Sequence, residues 1–167
     1  MKAVSQTGGD AAKQIQKQDG ACMITYHDGN LFDSHADALA HGCNTIGKMD
    51  GGIARHFKER YPDMFADYKK RCEEGKFLPG TGYIYTRQEK PHIINLATQH
   101  YLRANAVYVD SALRWLSDTA SKIGLAHIAM PRIATGLGGL EWETVQHILK
   151  HHFSESPLEI QVWTQPH

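Results

Sequence analysis

Cysteine is scarce and unpatterned in this chain. There are three, Cys22, Cys43 and Cys72. An odd number without CxxC spacing argues against a disulfide framework and against a thiolate zinc site. Free thiols suit a reducing compartment, so the cytoplasm is the expected location. Long apolar runs are missing too. None approaches the roughly 20 residues that a membrane-spanning helix needs, and residues 1–20 lack the apolar stretch of a secretory signal. A membrane is therefore not an expected partner. An excess of either charge is also lacking: Lys plus Arg number 18, and so do Asp plus Glu. A balanced domain without a basic tail has no global electrostatic reason to sit on nucleic acid. Nucleic acid is thus not expected as a partner, although a local positive site stays open. Neither GxGxxG nor the phosphate-loop lysine motif occurs, which argues against nucleoside triphosphate hydrolysis.

What the 167 residues do contain is enough for one domain with a real core. Residues 1–20 are polar, with Gly8-Gly9 and many Gln and Lys, and read as a loose extension or linker with a short helix over 11–18. Residues 21–167 read as the domain. Strands are expected over 22–26, 38–43, 82–86, 92–98, 127–131 and 158–164. Ile53, Phe57 and Tyr61 are four apart and mark a first helix, and Pro62 opens a second that ends at Gly75. Val109, Leu113, Leu116, Ala120 and Ile123 form one helical stripe, with Asn105 as its N-cap and Gly124 as its terminator. Trp142, Val145 and Leu149 mark a last helix. Strands alternating with helices predict an α/β fold whose sheet is largely parallel and covered on both faces. Ligands of such folds bind beyond the C-terminal ends of the strands.

Two glycine-rich loops follow strands and precede helices. The first, 44–52, holds Gly47, Gly51 and Gly52; the second, 133–140, holds Gly136, Gly138 and Gly139. Glycine lets a ligand approach the backbone, and N–H groups at a helix start favour anions. Either loop alone can be a tight turn and nothing more. Together on one sheet edge they can grip a diphosphate from both sides.

The stretches "ALAHGCNTIGKMDGGIARHFKERYP", "IINLATQ" and "IAMPRIATGLGGLEWETV" resemble the macrodomain family. They are most similar to the subgroup of terminal ADP-ribose protein glycohydrolase and the ADP-ribose-phosphate-processing proteins. The resemblance implies a three-layer α/β/α fold with a mixed six-stranded sheet. It also implies ADP-ribose or an ADP-ribosylated protein as ligand, no cofactor, no resident metal and a monomeric chain. By the same resemblance, Asn30 and Leu31 would read adenine. Asn44, Met49, Gly51, Gly52 and Ile53 would line the distal ribose and phosphates. Arg132, Ile133, Ala134, Thr135, Gly136, Leu137, Gly138 and Gly139 would form the second phosphate loop.

The sequence departs from that subgroup where its nucleophilic lysine and resolving aspartate stand, here Gln99 and Gly138. A glutamine forms no Schiff base and a glycine offers no carboxylate, so the covalent route is closed. Three groups remain as catalytic candidates. Gln99 could orient a water or be a strand-end polar residue. His100 could be a general base, since an imidazole suits proton transfer near neutrality, or an exposed loop residue. Asp50 could activate a water near ribose C1″ or simply suit a tight backbone. Arg132 could face the diphosphate or pair with an acid, and Thr135 could reach a phosphate or line the turn. His147 and His151 share a helix face but lack a third ligand. No Cys-His-Asn logic makes Cys43 or Cys72 a nucleophile. The expected function is a hydrolase that releases ADP-ribose from acidic side chains or processes ADP-ribose 1″-phosphate. The alternatives are a non-catalytic reader and an antitoxin-like enzyme acting on ADP-ribosylated DNA bases.

Overall fold

The middle of the molecule is set by two strands that are apolar at nearly every position, as strands covered on both faces are. These are β3 (Ala38–Cys43) and β5 (His92–Ala97), with Ala38, Leu39, Ala40, Ile93, Ile94 and Leu96 almost inaccessible. The computed structural model describes residues 14–16 and 23–166. In chain order the remaining elements are β1 (Gln14–Gln16), β2 (Met23–Asp28), α1 (Gly52–Arg60), α2 (Pro62–Glu73), β4 (Gly82–Tyr85), α3 (Ala106–Lys122), β6 (His127–Met130), α4 (Trp142–Phe153) and β7 (Glu159–Thr164).

The sheet order is β1-β2-β7-β6-β3-β5-β4. Strands β2, β7, β6, β3 and β5 are parallel neighbours, and β1 and β4 close the two edges antiparallel. The expected mixed six-stranded sheet is present with one strand more. Gln14–Gln16 pairs with β2 as that strand, which corrects the expected helix at those positions; the rest of residues 1–22, Cys22 among them, lies outside the described residues.

One face of the sheet packs on α3 and α4 through Leu113, Leu116, Val145 and Phe153, the other on α1 and α2 through Phe57, Met64 and Tyr68. The α3 stripe is buried as its spacing predicts from Val109 to Ala120, while Ile123, the C-cap, is exposed. Asn105 caps α3 by accepting the Val107 and Tyr108 N–H groups. Among the described residues no helix is long and apolar enough to cross a membrane.

The parallel arrangement has one consequence for function. The chain leaves β2, β3, β5, β6 and β7 at the same edge of the sheet, so five separate segments meet there.

Candidate active site

At the β2/β7 end of that edge lies a cavity of ≈ 680 Å³ lined by Asn30, Leu31, Phe32, Ile53, His56 and Trp163, among others. A cavity of this size suits a small molecule. Gly29, at φ +141, brings the backbone close to Trp163; a Cβ there would stand 3.3 Å from the indole. Asn30 Oδ1 accepts the Phe32 N–H at 2.9 Å and so caps the 3-10 turn Leu31–Asp33. Trp163 stacks on His27, 4.8 Å between ring centroids. Its Nε1 donates to Gln161 Oε1 at 3.1 Å, and the Ser34 hydroxyl donates to the same oxygen at 2.8 Å. The Arg60 guanidinium lies 4.2 Å from the centroid of the Phe32 ring. Asn30 and Leu31 were expected here; Ile53, expected at the distal ribose, lines the cavity as well. Phe32, His56, Arg60 and Trp163 were not expected. For Trp163 a signal existed: an aromatic close to the C-terminal end of a parallel strand.

The first loop (44–51, loop 1) is built by side chains. Asn44 Oδ1 accepts the Ile46 N–H at 3.1 Å and the Lys48 N–H at 3.3 Å, and its Nδ2 donates to Lys48 O at 2.9 Å. The Tyr68 hydroxyl from α2 donates to the same Oδ1 at 2.6 Å. Thr45 is tied to the segment after β5: its N–H reaches His100 O at 3.1 Å, and its hydroxyl lies 2.7 Å from His100 Nδ1. Met49 is buried beneath the loop. The N–H groups of Met49, Asp50 and Gly51 donate to no protein acceptor among the described residues. Asn44, expected on the ligand, thus has its polar atoms committed to holding the loop. Asp50 is exposed and 3.6 Å from Lys58 Nζ.

The second loop (131–141, loop 2) is closed by backbone. Leu140 N–H bonds Ala134 O at 3.0 Å and Gly139 N–H bonds Gly136 O at 3.2 Å. Ala134 adopts φ +66, a strained conformation for a side-chain-bearing residue. Gly138 admits no side chain, because a Cβ would fall 2.8 Å from Ala134 O and 2.9 Å from Ala104 Cβ. The N–H groups of Thr135, Gly136, Leu137 and Gly138 are spent on no protein acceptor among the described residues. The two loops meet where Leu137 lies against Gly51, with 3.1 Å between its Cδ1 and the position of a Gly51 Cβ.

Three residues whose roles were open make contacts within the protein. Gln99 gives both amide hydrogens to its own turn, to Tyr101 O at 2.8 Å and Leu102 O at 2.9 Å, so they are not free to hold a water. Arg132 lies over Trp142, 5.2 Å from its ring centroid, and forms no ion pair among the described residues. Thr135 donates its hydroxyl to Arg132 O at 2.7 Å and serves the turn. His147 and His151 are exposed on α4. A Cys-His-Asn trio does exist, but in the core under loop 1. His41 Nε2 is 2.7 Å from Asn95 Oδ1 and 3.5 Å from Cys43 Sγ, and the imidazole stacks on Phe57. Burial pushes the His41 pKa down to about 4 against the opposing Asn95 bond, and burial pushes the Cys43 thiol well above its usual range. A buried, protonated thiol is a structural group and no nucleophile.

The Macro domain family profile matches residues 40–149, which contain both loops and the sheet between them. The chain belongs to the Macro domain family. A DNA ADP-ribosyl glycohydrolase of Mycobacterium tuberculosis is 36% identical over 140 residues, which are 81% of this chain and 40% of that protein. This chain therefore spans about two fifths of the length of that relative. An ADP-ribose 1″-phosphate phosphatase of Candida albicans is 30% identical over 77% of this chain and 92% of its own. Among solved structures, the macrodomain of Mycobacterium tuberculosis DarG superposes with a TM-score of 0.81 at 32% identity, over 84% of this chain and 97% of that one. The macrodomain architecture agrees with the resemblance seen in the sequence.

Proposed function

We propose that this macrodomain binds ADP-ribose along its C-terminal sheet edge and hydrolyses the bond between ribose C1″ and an acceptor, without a lysine-bound intermediate. The observation that carries the reading is the pairing of two loops that touch at Leu137 and Gly51 and hold seven backbone N–H groups without protein acceptors among the described residues. Such groups suit a diphosphate. The cavity at the β2/β7 end takes the adenosine, and the scissile end lies by the segment after β5.

In the hydrolysis, a water oxygen bonds C1″ as the bond to the acceptor breaks. His100 is the best-placed base. Its Nδ1 is engaged by the Thr45 hydroxyl, which orients the ring; with Nδ1 protonated, Nε2 is the nitrogen that accepts the water's proton. Gln99 acts indirectly by shaping the turn that follows β5. Asp50, paired with Lys58, contributes charge at the rim.

For the acceptor we favour a base in DNA over a protein carboxylate. The mycobacterial relative named for that activity is the more similar of the two quoted, 36% identical against 30%. The balanced net charge argues against wide nucleic-acid binding, but removal of a group from one base needs only a local site. The yeast relative supports ADP-ribose 1″-phosphate as a second substrate.

The test is a release assay on an ADP-ribosylated single-stranded oligonucleotide, an ADP-ribosyl-glutamate protein and ADP-ribose 1″-phosphate. Wild type should release ADP-ribose best from the oligonucleotide. His100→Ala should lower kcat by about a hundredfold with the ADP-ribose Kd little changed, and Asp50→Ala should have a smaller effect. Binding of ADP-ribose without turnover of any substrate would make the domain a reader. No binding in calorimetry would remove the site itself.

A further inference from the structure

Six large apolar side chains are more than half exposed among the described residues, and four of them stand on two segments that meet: Tyr101, Leu102 and Val107 flank Ala104, which bonds Gly138 next to Leu137. Scattered exposed apolar residues are ordinary, whereas a cluster on one rim marks a contact surface. The rim is continuous with the cleft. Ala104 N–H donates to Gly138 O at 2.9 Å, and the exposed Arg103 guanidinium comes within 3.1 Å of the position of a Gly139 Cβ. The tip is also preformed. Gln99 holds the carbonyls of Tyr101 and Leu102 from inside, which leaves their side chains 52% and 64% exposed.

We propose that the Tyr101–Leu102 tip, with Arg103 beside it, is a stacking platform for the unpaired nucleotide next to the modified base. This inference rests on the DNA reading above and deepens it. An aromatic face and an aliphatic neighbour accept a base of any identity, and an adjacent guanidinium answers its phosphate; together these are the parts of a single-strand binding surface. An acidic peptide would call for cations in place of these apolar faces. The platform explains how a domain with no net charge can hold a nucleic acid: it takes one or two bases and tracks no long backbone. The rim's function is therefore to favour single-stranded DNA over an isolated modified nucleoside.

The experiment compares wild type, Tyr101→Ala, Tyr101→Phe and Leu102→Ser on two substrates, a ten-nucleotide ADP-ribosylated oligonucleotide and the ADP-ribosylated mononucleoside. ADP-ribose affinity is measured alongside by calorimetry. Both side chains are exposed and the bonds that hold the tip run to backbone carbonyls, so the variants keep the turn. Wild type should show a higher kcat/KM on the oligonucleotide. Tyr101→Ala should lower that value about ten- to a hundredfold, through KM more than kcat, and leave the mononucleoside and the ADP-ribose Kd within about twofold. Tyr101→Phe should restore the oligonucleotide value and Leu102→Ser should show a smaller loss. Equal losses on both substrates, or a wild type indifferent to neighbouring nucleotides, would overturn the platform while leaving the hydrolase intact. Release from protein alone would overturn both the platform and the DNA reading.

Discussion

Loops 1 and 2 touch at the same sheet edge, yet they are held by different forces. Loop 1 is held by side chains: its own Asn44, bonded by the Tyr68 hydroxyl from α2, and its own Thr45, tied to His100 in the segment after β5. Under it lies the buried His41, Asn95 and Cys43 group. Loop 2 relies on glycines, two backbone hydrogen bonds and close packing, with Gly138 pressed on Ala104 and Ala134 in left-handed backbone. Both solutions leave backbone N–H groups without a protein acceptor among the described residues. The phosphate site proposed above needs a backbone held still, and a polar scaffold and a steric one serve equally. They differ in what breaks them. The first is sensitive to protonation and to loss of a polar side chain, the second to the addition of a single methyl group.

Acid should separate them most strongly. In the unfolded chain an imidazole titrates near 6.5, whereas folded His41 titrates at about 4. The unfolded state therefore takes up a proton first. Stability is complete above about pH 6.5, falls as pH drops toward 4, and levels off below, for a loss of roughly 3 kcal/mol. Asp37 does not act in this window. Burial alone would raise its carboxyl, but Lys90 and the Ala126 and His127 N–H groups hold it well below the usual range, so its contribution is lost only at lower pH. Urea midpoints at pH 7 and pH 4.5 measure the difference; a flat profile would mean that His41 is not buried neutral.

A smaller effect is expected from Asn44→Ala, which removes the side-chain bonds to Ile46, Lys48 and Tyr68. The expected loss is about 2 kcal/mol of stability, with ADP-ribose affinity reduced more than tenfold, as read by thermal unfolding and calorimetry. Unchanged binding would show that loop 1 keeps its shape without its polar hub. Gly138→Ala should have the smallest effect on stability, about 1 kcal/mol, the cost of shifting loop 2 so that the new Cβ clears Ala134 O and Ala104 Cβ. ADP-ribose affinity should still fall about tenfold as the loop moves. Should this variant lose stability as heavily as Asn44→Ala, the contrast between the two loops fails.

Much of the fold was legible in advance. Apolar runs named β3 and β5, the spacing from Val109 to Ala120 named α3, and Asn105 and Gly124 marked its ends. The strand β1 was missed because a three-residue edge strand carries no periodicity, and its polar surroundings read as linker. In the site, both loops were found from their glycines. Trp163, Phe32 and Arg60 were missed because each is ordinary in its local stretch and meets the others only through sheet order. Gln99 and Arg132 were given roles toward the ligand that their hydrogen-bond partner and ring contact do not support. The direction of a polar side chain depends on acceptors distant in sequence.

By itself the sequence determined where the chain turns and which residue types stand at each turn. It determined the two glycine loops and the presence of Gln99 and Gly138 where the family resemblance implies a lysine and an aspartate. The tertiary structure decided the rest: that five strand ends share one edge, that Leu137 closes on Gly51, and that Cys43, His41 and Asn95 lie in the core. The physical reason is that glycine content, caps and periodicity act within a few residues. Burial, hydrogen-bond pairing and ionisation are set by neighbours that only the folded sheet brings together.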